Sequence, residues 1–155
     1  MTSTRAAHPD DLPAIYAMLR ELSRTHQNYD PARYVLPDDV IAVYEPWMHR
    51  AMHGTGVLAI VAGDLPVTGY LVAEAFEAQG EYWSPAHVYI HDLYVLPEFR
   101  ASGAAQALIA GAANWAKGLG IHQLRGLVAT DNGHARRFFA RQGFRESAAE
   151  ITLDL

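Results

Sequence analysis

The chain has 155 residues, half of them hydrophobic and 19% charged, with 12 glycines and 8 prolines. That is the length of one globular domain and a composition outside the disordered and fibrous ranges. No cysteine occurs, which excludes disulfide scaffolds, thiol nucleophiles, iron–sulfur clusters and cysteine-ligated zinc, and fits a cytoplasmic address. The longest apolar run, residues 57–62, is far too short to cross a bilayer, so no membrane partner is expected. A net charge of −5 speaks against nucleic acid as the main partner. The charge is unevenly spread: from Arg100 to Arg145 seven cations face a single acid, a local +6 that leaves −11 on the remainder. Such asymmetry between halves is a hint about a ligand or partner.

Residues 3–6 read as a short extended start. Asp10 or Asp11 is placed to cap a helix with Pro13 in its first turn, and Leu12, Ile15, Leu19 and Leu22 give that helix one buried stripe. Residues 27–37 are rich in turn formers, and Pro37, Asp38 and Asp39 start a second helix through about Met52. Residues 57–62 and 67–76 form an antiparallel hairpin around a turn at 63–66. After a polar loop over 77–85 comes a third strand, 87–95. Leu108, Ala112, Trp115 and Leu119 then recur at helical spacing in a helix over 104–119, ended by Gly118 and Gly120. Residues 121–130 read as a strand, Asp131 or Asn132 caps a helix to Gln142, Gly143 terminates it, and 151–155 alternate as a last strand. The order implies one mixed α/β domain over residues 1–155.

Chemistry concentrates between His91 and Phe144. A strand ending at Val95 runs into Pro97-Glu98-Phe99-Arg100-Ala101-Ser102-Gly103-Ala104-Ala105, a turn of small residues opening a helix. Small side chains let backbone N–H groups approach an anion, and the unpaired amides of a helix N-terminus carry partial positive charge, so the turn suits a pyrophosphate. The next strand is followed by a second pattern, Asn132, Ala135, Phe138, Gly143 and Phe144.

Together the two stretches resemble the GNAT superfamily of acyl-CoA N-acyltransferases. Its phosphate-loop pattern, (Q/R)-x-x-G-x-(G/A), matches Arg100, Gly103 and Ala105, and the preceding V-x-P-E-(F/Y)-R matches Val95, Pro97, Glu98, Phe99 and Arg100. The resemblance covers nearly the whole chain and implies a mixed, mostly antiparallel central sheet flanked by helices. It also implies acetyl-CoA as cosubstrate, no metal, and a primary amine of a small molecule as acceptor. The pyrophosphate would lie on the amides of Arg100, Ala101, Ser102, Gly103, Ala104 and Ala105, and the pantetheine arm along the backbone of Leu93 and Val95, where the third strand diverges from the one after it. The N–H of Leu93 or its neighbour would stabilise the oxyanion. Asn132 either touches the cofactor arm or only caps its helix, and Arg136 and Arg141 either meet CoA phosphates or form a solvated face. With no cysteine, transfer proceeds by direct attack in a ternary complex. The resemblance also makes a homodimer an expectation.

Two positions depart from the family pattern. Phe139 stands where the family usually has the tyrosine that protonates the leaving thiolate, which raises the alternative of a CoA-binding sensor with weak or lost turnover. Ala101 stands where glycine is common and requires an unstrained backbone. For the base, some members place a carboxylate at the position of His91; a histidine can do that work at neutral pH, or it can be a strand residue satisfied by a hydrogen bond. Tyr89 shares the face of His91 and, with Tyr34, is a candidate for lining the acceptor pocket, whereas alternation turns Asp92 to the opposite face unless a bulge intervenes. The acids and aromatics of the first two helices and the hairpin, among them Tyr44, Trp47 and Glu74, suit a cationic amine. His49 and His53 lack the third ligand of a metal site.

Overall fold

The computed structural model describes residues 2–54 and 56–155. Five strands form one sheet in chain order: β1 (Thr4–Ala6), β2 (Val57–Ala62), β3 (Gly69–Phe76), β4 (His87–Val95) and β5 (Leu124–Gly126). The first four pair antiparallel and β5 joins β4 in parallel, so the sheet is mixed and mostly antiparallel, as expected. Helices α1 (Leu12–Tyr29) and α2 (Val40–Met52) cover one face, and α3 (Ala104–Gly118) covers the other. Helix α4 (Gly133–Arg141) follows β5.

Strand alternation sorts the core into two layers. Ile60, Leu71, Ala73, Val88 and Ile90 pack on Leu108, Ile109 and Ala112 of α3, while Val57, Val61, Tyr70 and Val72 pack on Ile15, Leu19 and Met48 of α1 and α2. Helix α3 lies close to the sheet at Gly111, where an added Cβ would stand 2.7 Å from Ile60 Cδ1. Leu119, predicted to continue the buried stripe of α3, is 51% exposed just past its end.

Three expectations change. Asp11 does not cap α1: its carboxylate accepts two hydrogen bonds from Arg5, at 2.7 and 2.9 Å, and one from the His8 amide, tying β1 to α1. The strand expected over 121–130 pairs only through Leu124, Arg125 and Gly126, because the chain then leaves β4. No strand forms at 151–155, where Ile151, Leu153 and Leu155 are exposed; an alternating pattern makes a strand only where a neighbouring edge accepts it. Asp39, by contrast, caps α2, accepting from the Ile41 and Ala42 amides.

Candidate active site

The site begins with a fault in β4. Val72 pairs with Asp92, yet the next residue, Ala73, pairs with Ile90, so His91 is the extra residue of a β-bulge. Before the bulge Val88 and Ile90 face α3; after it Val95, with Leu93 packed beside it, takes that face. The backbone phase turns over as well. The Val88 amide donates to Gln123 on the β5 side, whereas the Leu96 amide donates to Thr68 on the β3 side. By alternation the amides of Leu93 and Val95 therefore point to the side from which β5 has departed. This is the divergence that the resemblance implies, and it leaves backbone groups of β4 open beside residues 127–130.

The bulge also corrects the placing of Asp92, which lies on the same face as His91. Asp92 is buried against α2 and β3, where it accepts hydrogen bonds from the phenols of Tyr44 at 3.2 Å and Tyr70 at 3.4 Å. Burial pushes its carboxyl up to about 6, against the pull of the two hydroxyl donors. His91 stands beside it under Trp47, ring centroids 4.3 Å apart and nearly perpendicular, with Tyr89 at 5.0 Å. Its Nε2 lies 3.3 Å from Glu74, which also holds Arg50 at 3.2 Å. Burial lowers the proton affinity of His91 more than Glu74 raises it, so the imidazole is neutral at pH 7. The Trp47 indole N–H is buried without a hydrogen-bond partner.

The small-residue turn lies one step beyond β4. Gly103 sits at φ +86° as the residue before α3, no side chain caps that helix, and an added Cβ there would meet nothing within 4 Å. The first intrahelical acceptor is the Gly103 carbonyl, which takes the Ala107 amide at 2.9 Å. Of the earlier amides, that of Arg100 donates to the Pro97 carbonyl at 3.2 Å, that of Ser102 to the Phe99 carbonyl at 3.3 Å and that of Ala104 to Ser102 Oγ at 3.4 Å, which leaves those of Ala101, Gly103 and Ala105 without a partner in the turn. The residues present therefore fit a pyrophosphate: uncapped amides, little side-chain bulk and open space in front of them. Arg100 folds back instead of reaching outward, its Nε donating to the Val95 carbonyl at 3.2 Å and its guanidinium lying over Tyr94. Ala101 is not in the unstrained conformation its identity called for, since its φ is +69°. Left-handed backbone costs a residue with a Cβ about 1–2 kcal/mol, and glycine's looser unfolded chain returns about 0.4–1 of it. Ala101→Gly is therefore expected to stabilise the protein by about 0.5–1 kcal/mol in urea denaturation.

A cavity of about 600 Å³ runs between the end of α1, residues 126–131, α4 and the C-terminal segment. Tyr34 and Phe139 both line it, as does Arg136. Burial first, and then the charges of Glu150 and Tyr34, raise the Tyr89 phenol above its ordinary value. Glu150 is bound to Arg33, and Arg136 is held by Glu146 at 2.6 Å. Arg136 is thus committed to the C-terminal segment, and Arg141 stands exposed near the end of α4. Asn132 caps α4, its side chain accepting from the Ala135 amide at 3.0 Å. Phe139 packs against Phe138 and Phe144, centroids 5.4 and 5.1 Å away. His49 and His53 stack on one another, and among the described residues no group of three or more His, Asp or Glu is placed to hold a metal ion.

Sequence reasoning had counted Glu74, Tyr44 and Trp47 as acceptor-pocket acids and aromatics. It missed that Glu74 pairs with His91 and that Tyr44 binds Asp92. The signal available was the parity of Glu74 within its hairpin, which puts it on the α2 face.

A scan of family models matches the acetyltransferase (GNAT) family over residues 15–144. A search of curated proteins finds no match. Among solved structures, the BH1408 protein of Bacillus halodurans (a tetramutant) superposes with a TM-score of 0.86 at 18% identity, over 99% of both chains. An aminoglycoside antibiotic 6'-N-acetyltransferase, AAC(6')-IG of Acinetobacter haemolyticus, gives 0.74 at 22% identity, over 99% of this chain and 97% of that one. A predicted acetyltransferase of Clostridium acetobutylicum, solved with acetyl-CoA, gives 0.73 at 16% identity over 99% and 96%. These likenesses establish a shared fold. The family match takes in the bulged strand, the uncapped turn before α3 and the second motif on α4, and by it this chain belongs to the acetyltransferase (GNAT) family.

Proposed function

We propose that the protein is an acetyl-CoA-dependent N-acetyltransferase that modifies a primary amine of a small molecule by direct attack in a ternary complex. The observation that carries this reading is the bulge in β4, which turns the Leu93 and Val95 amides into the gap left by β5. Acetyl-CoA would supply the acetyl thioester, whose C–S bond breaks as the amine nitrogen bonds to the carbonyl carbon, yielding an amide and the CoA thiol. The backbone amides of the turn from Arg100 to Ala105 would bind the pyrophosphate, with the Arg100 side chain folded back onto the Val95 carbonyl. The Leu93 N–H donates to the carbonyl oxygen as it gains charge. Neutral His91 takes one proton from the acceptor ammonium and passes it to solvent. The nitrogen's second proton reaches the leaving sulfur through water, because Phe139 has no proton to give. Tyr34 and Tyr89 line the acceptor side.

Support for an amine acceptor comes from the family and from the cluster of His91, Glu74, Tyr89 and Trp47. Acetyl-CoA binding by calorimetry and release of CoA with a panel of primary amines test the reading. Protein that does neither is not an acetyltransferase. Phe139 favours one alternative, a CoA-binding sensor without turnover, for which tight CoA binding and no product with any amine is the expected result. Phe139→Tyr separates the two: if the missing acid limits the rate, kcat rises by about ten-fold, and an unchanged kcat assigns the sulfur's proton to water alone. The homodimer and the cytoplasmic address also stand as proposals. Exposed Ile151, Leu153 and Leu155 support the former, and gel filtration decides it.

A further inference from the structure

We propose that Glu74 is a positioning residue: it holds the proton of neutral His91 on Nε2 and so leaves Nδ1 as the nitrogen that takes the amine's proton. The proposal rests on the acetyl-transfer reading above.

The geometry is a shared carboxylate. One oxygen of Glu74, Oε2, lies 3.3 Å from His91 Nε2, and the other, Oε1, accepts from Arg50 Nη2 at 3.2 Å. Glu74 sits near the end of β3 and is paired with Tyr89, two residues before the bulge, so it reaches the imidazole diagonally across the ladder. A carboxylate is an acceptor only, and therefore the neutral imidazole that meets it must present N–H from Nε2. The lone pair is then on Nδ1 by elimination. Trp47 stands edge-on to the ring and Tyr89 leans over it, which limits its rotation.

Every charged group that faces His91 has a defined sign of effect. From β3, Glu74 favours the imidazolium; from α2, Arg50 opposes it. Asp92, next in the chain, is turned to the hydroxyls of Tyr44 and Tyr70. Were Glu74 free of Arg50, its full charge would press His91 toward the protonated form, which is useless as a base. Arg50 moderates the carboxylate, and the histidine keeps both a fixed tautomer and an empty site at neutral pH.

Imidazole nitrogen NMR on the ¹⁵N-histidine-labelled protein without ligands tests this, with the His91 signals assigned by their loss in His91→Ala. In the wild type at high pH the expected spectrum is that of the Nε2–H tautomer. In Glu74→Gln, which can keep the hydrogen bond but loses the charge, the His91 midpoint is expected to fall by about one pH unit. In Arg50→Gln it is expected to rise, which preserves the test should Glu74→Gln fold poorly. An Nδ1–H tautomer in the wild type, or a His91 midpoint unmoved in Glu74→Gln, overturns the proposal. The acid limb of kcat/KM should move with the NMR midpoint in each variant. If the midpoints move as expected while no amine is acetylated, the link between Glu74 and His91 stands and the acetyl-transfer reading falls.

Discussion

Replacing His91 with alanine is expected to lower kcat/KM for the acceptor by about 10²-fold or more and to remove the acid limb of its pH profile. An ammonium is no nucleophile, and at neutral pH nearly all of a simple amine is protonated, so an enzyme that binds this form must take a proton before attack. His91 is neutral at that pH because burial lowers its proton affinity, and the limb it produces lies below the ordinary histidine value of about 6.5. The measurement is kcat/KM from pH 5 to 9 for both proteins with one amine. A limb that survives in His91→Ala belongs to another group, and the base assignment is then wrong. Asp92 is the nearest competitor by position, but its carboxyl is enclosed by Tyr44 and Tyr70.

The second large effect concerns Asp92 and stability. Its folded-state value of about 6 lies above the ordinary 3.8, so between those limits the folded protein binds the proton more tightly than the unfolded chain does. Stability contributed by this group is therefore greatest below about pH 4 and is lost as pH rises through 6. The shift corresponds to about 3 kcal/mol between pH 4 and 8. In Asp92→Asn that loss should vanish, so the variant gains on the wild type by about 3 kcal/mol as pH rises, whatever offset its own hydrogen bonds set at pH 4. Urea denaturation of both proteins at pH 4.5, 6 and 8 measures the difference, from which shared contributions such as those of Asp11 and His91 cancel. Parallel curves would mean that Asp92 titrates no differently folded than unfolded. A buried carboxylate that lowers stability at neutral pH still has a use: its bond to Tyr44 holds α2, and with it Trp47, against β4 beside His91.

The elements were legible where local pattern and tertiary partner agree. Strands β2 and β4 begin and end where their apolar runs and turn residues place them, and α2 starts at its Asp39 cap. Reading failed where the deciding contact is remote. Residues 121–130 carry a strand pattern, but their pairing stops at Gly126 because β4 shifts phase at His91. Ile151, Leu153 and Leu155 alternate as a strand would, without an edge to receive them. The uncapped turn before α3 could be read because its small residues are consecutive in the chain. The pairing of Glu74 with His91 could not, since residues 17 positions apart in sequence meet only once the β3–β4 register is known.

The bulge makes the site a matter of counting as much as of chemistry. Nine residues occupy β4 where a regular ladder against β3 would take eight. Drop Ile90, for example, and the strand can still pair with β3 as a regular ladder. The Leu93 and Val95 amides would keep their side, but His91 would take the place of Ile90 on the α3 face, away from Asp92, Glu74 and Trp47. Substitutions can retune the chemistry of this strand step by step, whereas a single deletion would take the imidazole out of the site at once while leaving the strand paired.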